Sequence, residues 1–146
     1  MLHNSKLLLF LCCFLGTKIV CLAQADQIEK IWYNQEKTSK IQVYKAKDGH
    51  YYGKIIWLKD PLKDGKPKVD DQNPDESKRT TPIIGLVIMK HLEKSGDKSY
   101  ESGKIYDPKN GKTYSCKITY NGNSLDLRGY IGISLIGRTS TWTIAD

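Results

Sequence analysis

Two runs of alternating residues on either side of one tight turn constrain this chain more than any other feature. Tyr114, Cys116, Ile118 and Tyr120 alternate with Thr113, Ser115, Lys117 and Thr119. After Asn121-Gly122-Asn123, the residues Leu125, Leu127, Gly129 and Ile131 alternate with Ser124, Asp126, Arg128 and Tyr130. Period two over this length predicts two half-buried strands, and the Asn-Gly step predicts a hairpin between them. A second turn, Asp107-Pro108-Lys109-Asn110-Gly111, precedes the pair. Pro108 sets φ for the second turn position, and Gly111 is expected at positive φ. Asp107, Pro108 and Gly111 are thus read as structural residues.

The pattern extends upstream and downstream. Ile41 and Val43 alternate with Gln42 and Tyr44, and a Lys47-Asp48-Gly49 turn follows. Residues 50–58 return, with Lys54 in water and Tyr51, Gly53, Ile55 and Trp57 expected inward. Residues 28–33, carrying Trp32, form a short strand or a helical turn leading into one. Residues 83–89 are nearly continuous apolar, which predicts a strand buried on both faces. Ser95-Gly96-Asp97 turns the chain into a strand over 99–106. The last strand, 133–144, sets Arg138, Ser140 and Trp142 on one face and Thr139, Thr141 and Thr143 on a wet one. No helical period occurs. About eight antiparallel strands in sequential hairpins predict an all-β, up-and-down barrel, with a sandwich as the alternative. Glycines within strands (Gly53, Gly85, Gly103, Gly129, Gly137) suit the bends of closure. Residues 59–82 break the series with a long polar loop rich in Lys, Asp and Pro, of a length that is functional or mobile.

Residues 1–25 stand apart. Lys6, an apolar run over 7–15 and the small residues of Ala23-Gln24-Ala25 have the three-part order of a cleaved signal peptide. The apolar run is shorter than the roughly 20 residues that span a bilayer. The expectation is an exported chain, periplasmic or extracellular, with no membrane span after cleavage. Its single β-barrel domain covers 26–146. Three of the four cysteines leave with the signal. Cys116 alone remains, so a hydrophobic core rather than a disulfide must hold the fold. Losing Lys6 and Lys18 takes the basic count from 23 to 21 against 16 acids, a net charge of about +5. Scattered lysines and three arginines do not form the clustered stripe that nucleic acid requires.

Chemical candidates are few. His50 lies beside a turn and His91 at a strand end, and neither has a metal-ligand spacing. Cys116, between Tyr114 and Ile118, reads as a buried inert thiol. Asp71, Asn73 and Asp75 mimic the opening of a calcium loop, but Glu76 stands at its glycine and Pro82 at its bidentate glutamate. Arg79 has two readings: it binds an anionic head group at a barrel mouth, or it ties the long loop down through a carboxylate. Tyr51, Trp57, Tyr114, Tyr120 and Trp142 either line a ligand cavity or fill the barrel. Bulky side chains in a chain this short favour a small or absent cavity. No catalytic residue, cofactor or metal is expected. A hydrolase built on Asp75, Glu76 and Arg79 would require a cleft with raised carboxyl pKa values.

Several spaced segments act together. They are 52–58 (Tyr-Gly-Lys-Ile-Ile-Trp-Leu), Asn73-Pro74-Asp75 with Arg79 and Pro82, and Ile84-Gly85-Leu86. Gly103 to Pro108 with Gly111-Lys112-Thr113-Tyr114 follow, then Leu127 to Tyr130, and Leu135 to Thr139 with Trp142. In this order they resemble the secreted bacterial family called domain of unknown function 2147, over nearly all of the mature chain. The resemblance implies a lipocalin or calycin barrel without established enzymatic activity. It implies a Gly-x-Trp in the first strand, where Trp32 matches and Lys30 replaces the glycine. It further implies that Arg138 stacks on Trp32 at the closed end. The functional expectation is a non-enzymatic barrel that binds a small hydrophobic or amphipathic ligand, through Tyr51, Trp57, Arg79, Tyr114 and Trp142. The alternative is a cell-envelope interaction module that uses the 59–82 loop or the outer strands.

Overall fold

A computed structural model describes residues 24–145. The expected signal segment falls almost wholly outside the described residues. The chain forms β1 (Ile31–Tyr33), β2 (Ser39–Lys45), β3 (Tyr51–Leu58), β4 (Leu62–Lys63), β5 (Lys66–Pro67), β6 (Val87–Lys94), β7 (Ser99–Asp107), β8 (Lys112–Tyr120), β9 (Ser124–Tyr130) and β10 (Gly137–Ile144). Eight of these strands close a barrel in the order β1-β10-β9-β8-β7-β6-β3-β2, every pair antiparallel. This is the all-β up-and-down barrel that the alternation predicts. Closure removes the free edges that an open sheet would expose.

One end is sealed. Ile28 and Trp32 are fully buried there with Leu92, Tyr100 and Leu125. Segment 26–30 crosses that end. Trp32 Nε1 donates to the Ile28 carbonyl (3.0 Å). Asp26 accepts from Lys94 Nζ (2.6 Å) and from the Tyr100 hydroxyl on the far wall. Tyr120 packs edge-on against Trp32, with ring centroids 6.4 Å apart.

Four departures from the sequence-based expectations appear, two of them at register breaks. Between β2 and β3, Lys40 faces Trp57 while Ile41 faces Ile55, so Ile56 is an extra residue. Such a bulge reverses the in–out order beyond it. Trp57 therefore points outward and is 37% exposed, whereas Leu58 packs against the core. The strand expected over 83–89 begins only at Val87. Gly85, at φ +96°, turns the chain, leaving Ile83 buried and Ile84 exposed. The last strand likewise begins at Gly137 rather than at 133. His91 sits inside β6 rather than at a strand end, at φ +55°, where pairing with β3 shifts register.

The 59–82 loop has local structure of its own. It carries the β4–β5 hairpin, a 3-10 turn at Glu76–Lys78 and a bridge from Val69 to Pro82. Its anchor is Asp70, the buried charged residue of the core. Asp70 accepts from the Tyr106 hydroxyl (2.7 Å) and from Asn73 Nδ2 (2.7 Å).

Candidate functional site

Opposite the sealed end, the barrel opens into a cavity of about 1680 Å3. Its walls are the inward positions of the strands: Ile41, Ile55, Ile88, Ile105, Leu127 and Trp142, with Tyr106, Tyr114 and Ser140 as polar members. The mouth is made by residues of the β1–β2 loop, the 59–82 loop, the β7–β8 turn and the β9–β10 loop. The interior is therefore not filled, contrary to the expectation of a small or absent cavity. Small residues make the room: Gly129 sits in the wall, where an added Cβ would meet only the Tyr114 Cβ at 3.8 Å.

The mouth carries both charge signs, Lys63, Lys66, Lys68, Lys109 and Arg138 against Glu36, Asp60, Asp64, Asp71 and Asp107. Lys63 and Asp71 pair at 3.0 Å, which draws the Asp71 carboxyl below its usual range. Among the described residues the Arg138 side chain has no hydrogen-bond or ion-pair partner, and it faces the cavity. Beside the mouth, the β9–β10 loop exposes Ile131, Ile133, Leu135 and Ile136, the last two at 85% and 75%. Arg128 holds this lip, donating to the Leu135 carbonyl and the Thr139 hydroxyl (3.0 Å each).

The residues singled out in the sequence separate. Tyr114 and Trp142 line the cavity, and the Tyr114 hydroxyl accepts from Asn110 Nδ2 at 3.1 Å. Tyr51 does not. It lies at the sealed end, edge-on to Tyr100 at 5.5 Å, and burial beside Asp26 pushes its hydroxyl up to about 12. Trp57 is on the outer surface against Tyr33, with Lys40 Nζ 5.6 Å from its ring centroid. Arg79 is exposed and away from the cavity. It donates to the Asn73 carbonyl (2.8 Å) and Glu76 Oε1 (3.3 Å), so of its two readings the structure has the tie within the loop. The Ser77 hydroxyl, Lys78 and the Ser77 N–H hold the Asp75 carboxyl below its usual range, the reverse of what a hydrolytic acid there requires.

The stack of Arg138 on Trp32 does not form. Arg138 pairs with Gly129 near the mouth, while Trp32 pairs with Ile144 at the sealed end. Over Tyr120, the ring that packs edge-on against Trp32, lies Lys30 instead, with Nζ 5.8 Å from the ring centroid. The signal that places Arg138 was already in the alternation: it shares the inward face of Ser140 and Trp142. Asp107, Pro108 and Gly111 form the β7–β8 turn at the rim, where the Gly111 N–H donates to the Asp107 carbonyl at 2.8 Å. No sequence signal singles out Asp70 or the nearness of His50 to His91, whose ring centroids lie 5.9 Å apart. Cys116 is fully buried, and burial pushes its thiol up to about 12.

The family model described as "Uncharacterized protein conserved in bacteria (DUF2147)" matches residues 31–144. Among solved structures, the barrel is similar to protein HP1028 from the human pathogen Helicobacter pylori, described as belonging to the lipocalin family. The two are 28% identical with a TM-score of 0.73, over 83% of this chain and 84% of that one. Comparison with curated proteins gives no match.

Proposed function

From the premise that this chain belongs to the bacterial family DUF2147 and has a lipocalin-like fold, we propose a non-enzymatic exported protein that binds one small amphipathic ligand in its barrel. The apolar part lies among Ile41, Ile88, Leu127 and Trp142, and the polar head stays at the mouth. The observation that carries this is the open cavity of about 1680 Å3 with the Arg138 guanidinium at its rim, unpaired among the described residues. Apolar walls with a few placed polar groups are what small-molecule sites generally have. A guanidinium facing the opening favours a carboxylate or phosphate head, which it binds in a fork. The export half of the proposal rests on the pattern of residues 1–25.

The test is native mass spectrometry after incubation with extracted envelope lipids, paired with displacement of a fluorescent lipophilic probe. A retained species and a displaced probe are expected. Neither occurring would end the proposal. Arg138→Gln should weaken a long-chain carboxylate roughly tenfold while sparing the matching neutral alcohol.

A second reading, an envelope interaction module, is favoured by the exposed lip Ile131, Ile133, Leu135 and Ile136. Serine at Ile133 and Leu135, which are exposed and do not line the cavity, separates the two. Loss of a co-purifying envelope protein with probe binding intact supports the module.

A further inference from the structure

On the outer wall near the sealed end, far along the barrel from the cavity mouth, the β2–β3 turn meets β6. Gly49, at φ +85°, closes that turn and sets Asp48 and His50 on either side of it. His91 reaches the same spot from the neighbouring strand. One ligand atom from each of Asp48, His50 and His91 lies within 4.8 Å of the other two. The sequence hides this because the histidines are forty-one positions apart and no short motif links them.

The hydrogen bonds around the cluster leave a lone pair on each imidazole, while the Asp48 carboxylate is held in place, accepting from the His50 backbone N–H (3.0 Å) and the Tyr52 hydroxyl. His50 Nε2 lies 3.1 Å from Glu93 Oε1. A carboxylate only accepts, so this nitrogen carries the proton. The other nitrogen, Nδ1, is buried and has no hydrogen-bond partner among the described residues, with Asp48 Oδ2 3.5 Å away. A buried polar atom left unpaired is uncommon and calls for an explanation. The Tyr52 hydroxyl donates to Asp48 Oδ2 (2.6 Å), so its bond with His91 Nδ1 (2.9 Å) is one in which the ring donates. That leaves His91 Nε2 as a free lone pair. The His91 backbone is held at φ +55° in the left-handed region, which few residues other than glycine adopt. Such strain gathers at sites with a function.

We propose that Asp48, His50 and His91 bind a divalent transition metal ion of the zinc class, with water completing the shell. Two imidazoles and one carboxylate are a donor set that zinc accepts with a position left open. Imidazole nitrogen selects such ions over magnesium or calcium, which prefer oxygen. Glu93 stands behind His50 as the carboxylate that fixes ring and tautomer. Binding draws the ligand atoms in toward about 3.3 Å, the separation that metal–ligand bonds of about 2 Å impose in a tetrahedron. The exposed turn supplies that movement. The ion then clamps the β2–β3 turn to β6, outside the ligand cavity and independent of what the cavity holds.

The test uses the purified, untagged protein, stripped with chelator and titrated with zinc chloride alone by calorimetry. One equivalent should bind, and the thermal midpoint should rise with zinc. Asp48→Asn, His50→Gln and His91→Gln should each weaken binding at least about tenfold, and Glu93→Gln by about 10-fold through its hold on the His50 ring. The zinc-free variants should keep the circular dichroism and melt of the parent, so lost affinity cannot be lost folding. Cobalt should give the visible absorption of a four-coordinate ion. Absence of binding, binding that all three ligand variants leave unchanged, or equal competition by calcium or magnesium would each overturn the site.

Discussion

A Cβ placed on Gly111 would stand 2.0 Å from the carbonyl oxygen of Gln72. The β7–β8 turn and the long loop thus touch backbone to backbone, at a point where φ is already +68°. Both constraints act on one residue. Gly111→Val should lower stability by more than about 1 kcal/mol, from the φ penalty before any steric cost is added. Chemical denaturation measures it, and an unchanged midpoint would refute the contact.

Removing the hydroxyl from Tyr106 leaves the buried Asp70 carboxylate with Asn73 as its remaining side-chain partner. Burial, and then the bond to Asp70, pushes the Tyr106 hydroxyl up to about 12, so it is a neutral donor at every physiological pH. Tyr106→Phe should cost about 1.5–3 kcal/mol, as hydrogen bonds to charged groups do. Limited proteolysis should then cut first within 59–82. Cleavage at parental rates would mean that Asp70 is not the anchor.

Gly129→Leu projects a side chain into the cavity with little to collide against at its root. Probe affinity should fall by roughly tenfold or more, 1.4 kcal/mol, with the melting temperature nearly kept. Full probe binding by this variant would place the bound ligand elsewhere.

Acid should weaken the seal. Burial raises the Asp26 carboxyl pKa, but hydrogen bonds from Lys94, Tyr100 and the Ile28 N–H outweigh it and leave the group below its usual 3.8. A folded-state value below the unfolded one gives stability that is fully present above about pH 4 and is lost as pH falls through the folded value. Asp26→Asn should therefore cost about 1–2 kcal/mol at neutral pH, discounted for the partly exposed Lys94. The gap should close in denaturation curves taken below pH 4. A gap independent of pH would show that charge is not what holds segment 26–30.

Cys116 should not react with a disulfide-exchange reagent at pH 8 until the protein is unfolded. Its thiolate is scarce and its sulfur enclosed, 2.8 Å from where Gly103 would carry a Cβ. Labelling of the native protein at the denatured rate would contradict that packing.

The barrel was legible because closure depends on period-two patterning and on turn residues, both of which are local. Arg138, Ser140 and Trp142 fall on the inward face that their spacing predicts. Trp57 does not, because Ile56 bulges and one extra residue inverts every side chain after it. Nothing in the string Ile55-Ile56-Trp57 marks such a bulge. The cavity escapes the sequence for a related reason: two of the aromatic rings available to fill it lie on the outer surface (Trp57) and at the sealed end (Tyr51). Asp70 is hidden in a tract whose composition says solvent, since the Tyr106 hydroxyl that pairs with it lies thirty-six positions away.

Among the described residues segment 26–30 stoppers one end, so a guest of the proposed site would arrive and depart through the mouth. Whatever hinders passage there slows both directions alike. The lip that Arg128 pins can then set how long a guest stays without altering how much is held at equilibrium. Loosening it with Arg128→Ala would quicken loading and emptying by the same factor, the signature of a gate that takes no part in the binding itself.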